Sequence, residues 1–157
     1  MLKKILISLV SHGVTASLAF LIGVYSLPII MAIPDPTSGA LALTIKNTRY
    51  VATISESLED SDWLHWGDGR FSLGDDYIVF QGKLAPGPAY RLYLSPTFIE
   101  TEEDFLQQKS TMVEVGKVNS FGNYILPVPA DITIENYNSV IIWCESFGQF
   151  ITAAQFR

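Results

Sequence analysis

The side chains in this sequence whose types could do chemistry fall in two stretches. One is Ser139-Val140-Ile141-Ile142-Trp143-Cys144-Glu145-Ser146-Phe147, which holds the only cysteine of the chain, directly after a tryptophan. The other is Asp62-Trp63-Leu64-His65-Trp66-Gly67-Asp68-Gly69, which holds the one histidine beyond the apolar N-terminal region. A thiol can serve as nucleophile, redox group or soft ligand, and each role needs the thiolate or a soft partner. Glu145, the nearest charge in sequence, disfavours the thiolate. The competing reading is a buried cysteine that acts as a small hydrophobe. For His65 the competing reading is a ring held between two tryptophans with no chemical task.

The residue inventory excludes several function classes. A blue-copper centre takes two histidines with its cysteine, and a catalytic zinc typically takes three protein ligands, so the chain beyond the N-terminal stretch lacks the parts for either. Asp60, Asp62, Asp68, Asp75 and Asp76 are dense, but they lack the alternating spacing of a calcium loop, and Asp beside Gly is ordinary turn chemistry. No phosphate-cradling Gly-rich loop, Gly-x-Ser-x-Gly elbow or His-Glu-x-x-His motif occurs. All sixteen acidic residues lie beyond Pro34, whereas Lys3 and Lys4, two of the ten basic residues, precede it. Such an acidic domain has no means of neutralising a run of phosphates, so nucleic acid is excluded as a partner. Cys144, His65 and Met112 are side-chain types that ligate haem, so haem is admitted as a cofactor, but no spacing pairs them.

These residues must be positioned by the elements around them. From Lys46 onward short strand-like runs alternate with turn residues: 50–54, 70–73, 77–84, 89–95, 112–118, 124–128, 139–144 and 149–156. Asp68-Gly69, Gly74-Asp75, Pro86-Gly87 and Phe121-Gly122-Asn123 are expected to supply turns. Only residues 100–109 read as a short helix, with Glu102, Glu103 and Asp104 at its start. The fold class is therefore all-β, an antiparallel sandwich or barrel-like sheet. In 139–144 both alternating sets, Val140-Ile142-Cys144 and Ile141-Trp143, are apolar, which predicts a central strand with Cys144 interior. Glu145 to Gly148 read as the hairpin connection to the last strand.

The N-terminal region is of a different kind. Between Lys4 and Asp35 no residue is ionised at neutral pH, and the run is longer than the roughly 7–15 apolar residues of a secretory signal. About 20 such residues span a bilayer, so residues 1–33 are expected to be an uncleaved membrane anchor in contact with lipid. Lys3 and Lys4 put the N-terminus in the cytoplasm and the β domain on the extracytoplasmic side, periplasmic in a bacterium. His12, within the anchor, is expected near the cytoplasmic interface or against a partner helix. Pro34, Pro36 and Thr37-Ser38-Gly39 suggest a linker over 34–45, ahead of the domain at 46–157.

With these elements in place, the stretch from Asp62 to Phe156 resembles the DM-thirteen, or electron transfer DM, domain in its short membrane-anchored bacterial form. The resemblance is carried by Asp62 with His65-Trp66-Gly67-Asp68-Gly69, by Gly82-Lys83-Leu84-Ala85-Pro86-Gly87-Pro88 with Tyr90 and Leu92-Tyr93-Leu94, and by Tyr137, Val140 and Trp143-Cys144-Glu145-Ser146-Phe147 with Phe150-Ile151 and Ala153-Ala154. It implies an extracytoplasmic all-β domain whose motif cysteine is Cys144, for which a redox role has been proposed. Some relatives stand beside DOMON domains, thought to bind haem or sugars, or are joined to b-type cytochromes. No such segment lies in this sequence, so a separate cytochrome or thiol redox protein is the implied partner.

Two functions follow as expectations. The first is a single-pass membrane protein with a redox or electron-transfer domain, in which Cys144 is the working thiol and His65, Trp66 and Trp143 shape its pocket. The second is a non-enzymatic adhesion or ligand-binding module, contacting its ligand through Trp63, Trp66, Tyr90 and Tyr93.

Overall fold

The computed structural model describes every residue of the chain except Glu56. The apolar N-terminal run forms one helix, α1 (Leu2–Met31), long and apolar enough to cross a membrane. No residue of α1 is buried within the protein, as expected of a helix whose solvent is lipid. Pro28 lies inside its last turn. Only the backbone bond to the residue four positions earlier is lost there, and three more residues still wind on.

The segment 34–45 contains a second helix, α2 (Ser38–Ile45). Thr37 supplies its N-cap, the Oγ1 accepting from the Ala40 N–H at 3.3 Å, and Leu41 is its buried residue. Two connections tie the chain just beyond α1 to the β domain. The Ile33 N–H donates to the Asn119 carbonyl at 2.9 Å, and Asp35 Oδ2 accepts from the backbone N–H and the Nδ2 of Asn123, both at 3.0 Å.

The remainder is two antiparallel four-stranded sheets. The first is built from β1 (Tyr50–Thr53), β2 (Gly67–Leu73), β3 (Tyr77–Leu84) and β6 (Tyr124–Pro127), in the order β1-β2-β3-β6. The second is built from β4 (Tyr90–Ser95), β5 (Val113–Val118), β7 (Ser139–Cys144) and β8 (Gln149–Gln155), in the order β5-β4-β7-β8. Inward residues of both sheets, among them Phe71, Phe80, Leu92, Leu94, Val140 and Ile142, form one core. The chain thus folds as the sandwich its alternation predicts.

Asp68-Gly69 does not turn the chain; it lies within β2, paired with Lys83 and Gly82 of β3. The two glycines face each other where the backbones come together, and a Cβ on Gly69 would stand 2.8 Å from the Gly82 Cα. Gly69 also has φ of 151°, a conformation that side chains disfavour. The pair is needed for close approach across the ladder.

α3 (Glu102–Gln108) covers the outer face of the second sheet. Thr101 caps it by accepting from the Asp104 N–H at 3.1 Å, and three acidic residues occupy its first turn. β7, flanked by β4 and β8, is buried at all six positions. It is therefore the strand whose two faces decide what the molecule can do.

Candidate functional site

Trp143 and Cys144 are consecutive on β7 and so point to opposite faces. Trp143 turns outward beneath α3, where its ring stacks on Phe105 with centroids 3.9 Å apart and planes 10° off parallel. Tyr93 meets Phe105 edge-on at 5.2 Å. Above these rings Lys109 Nζ pairs with Glu145 Oε1 at 2.9 Å, and Glu145 also accepts from the Tyr93 hydroxyl. Partial burial works to raise the Glu145 carboxyl, but the Tyr93 hydroxyl and Lys109 outweigh it and hold it below the usual carboxylate range. This face is filled and its polar groups are paired.

Cys144 faces the other way, at the end of the strand, and is 2% exposed. Its Sγ–H donates to the Pro88 carbonyl at 3.0 Å, and the next residue's N–H, that of Glu145, donates to the Ala89 carbonyl at 3.2 Å. These two bonds grip a strained link, since Ala89 has φ of 54° and is the one non-glycine residue with positive φ among the described residues. Burial pushes the Cys144 thiol above its ordinary value, and the Glu145 charge adds to this. The N–H groups of Phe147 and Ser146 pull the other way without reversing it. The resting group is a protonated thiol.

A cavity of about 250 Å³ opens beside that sulfur. Its wall includes Cys144, His65, Leu64, Tyr90, Phe147 and Ile151 from the β domain, and Leu21, Val24 and Tyr25 from α1. The two residues singled out for chemistry, far apart in sequence, thus share one space. Trp66 and Trp143 do not line it. The Trp66 carbonyl accepts from the Ala85 N–H at 2.9 Å, so Trp66 braces the loop that carries Pro88. Met112 caps the turn after α3 and also lies outside this cavity. A larger recess of about 470 Å³ on the other side of the Gly87-Pro88 loop is lined by residues such as Leu27, Met31 and Phe121 and carries no titratable group.

His65 is held by Asp62. One carboxylate oxygen of Asp62 accepts from the N–H groups of Leu64 and His65, both at 2.7 Å, and the other lies 3.1 Å from His65 Nδ1. Partial burial would raise the Asp62 carboxyl, but His65 Nδ1 and the two backbone donors bring it below the usual range. An ionised carboxylate only accepts, so Nδ1 carries a proton toward Asp62, and the tautomer this selects has its lone pair on Nε2. On its other side His65 borders a cleft with Glu59, Asp60, Asp62 and Glu102. The ring therefore stands between an apolar cavity and an acidic, solvent-facing one. Among the described residues no group of three or more His, Cys, Asp or Glu side chains is placed to hold a metal ion.

A comparison with protein families matches residues 58–156 to the family described as Electron transfer DM13. The chain belongs to that family. The matched region takes in both Asp62–His65 and the Trp143-Cys144 strand, so the cavity's domain-side wall is wholly DM13 sequence, whereas its α1 wall is not. No curated protein and no solved structure matches the chain. The family name carries an electron-transfer role for the DM13 domain, here joined to one membrane-length helix.

Sequence reasoning missed the contribution of α1 to the site and the part played by Asp62. Asp three residues before His, in a run of turn formers, is a usable signal for the second. Tyr25, an aromatic near the end of a span, is a weaker signal for the first. Tyr90 and Tyr93, considered as ligand contacts in the binding reading, are both buried. Trp63 is 83% exposed.

Proposed function

We propose that the chain is a single-pass, membrane-anchored electron-transfer protein whose domain faces the extracytoplasmic side and whose working group is the Cys144 thiol. The observation that carries this reading is the sharing of one cavity by Cys144 and an Asp62-oriented His65. Lys3 and Lys4 at the start of α1 support the orientation.

The sequence holds one cysteine, so two-electron oxidation of Cys144 by thiol exchange requires a second sulfur from elsewhere. The co-reactant is a disulfide of a partner redox protein. The Cys144 S–H proton passes to His65 Nε2, the thiolate attacks one sulfur of the partner's disulfide, and the S–S bond breaks as the mixed disulfide forms. The departing sulfur leaves as a thiolate and takes up the proton. Cys144 and the partner each end with one sulfur in the new bond, and no other oxidant is needed. His65 offsets the weakened acidity of the buried thiol by supplying a proton acceptor where bulk water does not reach.

The test is mixed-disulfide formation by the folded full chain with a small aromatic disulfide, followed by mass spectrometry. The expected outcome is a 1:1 adduct at Cys144 that is slowed at least tenfold in His65→Ala. Its rate should climb with pH through and above the ordinary thiol range, because the raised thiol needs more alkaline solution to ionise. A thiol that stays inert until the chain is denatured would sink the reading.

A further inference from the structure

Three of the residues that line the cavity belong to α1, and their place along the helix bears on where its mouth lies. At about 1.5 Å per residue, Leu21 is about 25 Å and Tyr25 about 32 Å along the helix from Lys4. The hydrocarbon layer is about 30 Å thick, so with the lysines at one boundary these residues bracket the other. Around the same opening the β domain presents apolar side chains that nothing covers. Leu64 and Phe147 line the cavity, Phe147 is 60% exposed, and Trp63 follows directly on Asp62 at the same turn. Tyr and Trp at the boundary of a span are the residues that sit at headgroup level, one end apolar and one end wet. The cavity and its apolar rim are continuous with the lipid-facing surface of the anchor.

The chemistry inside the cavity narrows the occupant. Most of its wall is aliphatic or aromatic, which suits a ring or a tail and repels a charged solute. His65 Nε2 is an acceptor, since Asp62 holds the other nitrogen as the donor. A ligand that satisfies it brings an O–H. The acidic cleft on the far side of the same imidazole, with Asp60 and Glu102, gives a proton taken from that O–H a route to solvent without crossing the apolar space.

We propose that the cavity shared by Cys144 and His65 takes its ligand from the adjoining lipid leaflet, and that this ligand is a membrane-dissolved hydroxylated aromatic ring of the quinol class, its O–H donating to His65 Nε2. The proposal rests on the reading that this cavity is the functional site, and it adds the ligand class and the direction of entry. It does not depend on which group in the cavity changes oxidation state.

The chain has two histidines, His12 in α1 and His65 in the domain, which makes ring-nitrogen NMR a direct readout. The full chain in lipid nanodiscs is titrated under reducing conditions with a benzoquinol bearing a ten-carbon tail and, separately, with hydroquinone lacking the tail. The tailed quinol is expected to give a saturable shift at the His65 ring and none at His12, with the tail-less ring at least tenfold weaker. Val24→Trp, which fills the cavity from the anchor side without altering the domain's core, is expected to weaken binding at least tenfold. Ile151→Trp should do the same from the other wall, with thermal unfolding used to check that the domain still folds.

Equal binding of the two rings would mean entry from water and would overturn the proposal. So would an unsaturable shift, an unchanged response in Val24→Trp, or a His65 signal that responds only to lipid acyl composition. The mixed-disulfide assay separates the two readings. A reactive Cys144 with no quinol binding sinks only this proposal, whereas quinol binding beside an inert Cys144 sinks only the thiol mechanism.

Discussion

On one face of β7, Trp143 is sealed against Phe105 at 3.9 Å under a lid of paired charges; on the other, one residue further on, Cys144 borders about 250 Å³ of space. Both residues are almost wholly buried, and both belong to the same motif. What separates them is what lies above each face. α3 is part of the folded domain and closes its face with Phe105, which packs on Tyr93 beside the Lys109–Glu145 pair. The cover over Cys144 is α1, a helix whose own preferred partner is lipid, and it leaves a gap. Burial alone therefore does not distinguish a structural residue from one placed for chemistry; the packing density on its far side does.

Breaking the sealed face is expected to cost most. Trp143→Ala removes a stacked indole from a filled site, and a loss of about 3–5 kcal/mol in unfolding free energy is expected from denaturant titration. Cys144→Ala on the open face should cost about 1 kcal/mol or less, because the sulfur already borders empty space and there is little packing to lose. A cost for Cys144→Ala as large as that for Trp143→Ala would erase the distinction between the faces.

Glu145→Gln probes the polar lid. The Glu145 carboxyl is depressed in the folded state, so its contribution is fully present above the unfolded carboxylate range and disappears as pH falls through the lower folded value. The variant should be less stable by about 0.5–1 kcal/mol near neutral pH, a small loss because the group is partly solvated. Unfolding curves of the two proteins should converge in acid. The smallest effect is expected at the strained loop beside Cys144. Ala89→Gly relieves a left-handed residue at the expense of a more flexible unfolded chain, so the two terms largely cancel and a net gain of about 0.5 kcal/mol or less is expected by thermal or chemical melting.

Much of this architecture is written in local pattern. The two apolar sets in 139–144 announce a strand buried on both faces, whereas its pairing with Tyr90–Ser95 is a long-range contact that no local pattern gives. Asp68-Gly69 misleads because its composition is that of a turn, while the reason for its glycine lies across the ladder at Gly82, where no local window reaches. The site divides in the same way. Cys144 and His65 stand out by residue type, since each is the only one of its kind in the domain. That they line one cavity depends on contacts spanning most of the β domain, and that Leu21, Val24 and Tyr25 complete it depends on how a lipid-facing helix leans on a sheet. Periodicity sees only the hydrophobic stripe of such a helix, not the one side that is occupied.

The clasp made by Ile33 and Asp35 on Asn119 and Asn123 sets how far the domain can travel. A domain on a floppy leash sweeps a hemisphere and can intercept partners at many heights and angles. Here the leash has no slack. With α1 in a bilayer, bonds made this close to the end of the helix keep the β domain beside the membrane surface, so a partner held in the same membrane meets it by lateral collision. Asp35→Gly, with a few flexible residues inserted after it, would turn a fixed fixture into a swinging one and exchange orientation for reach.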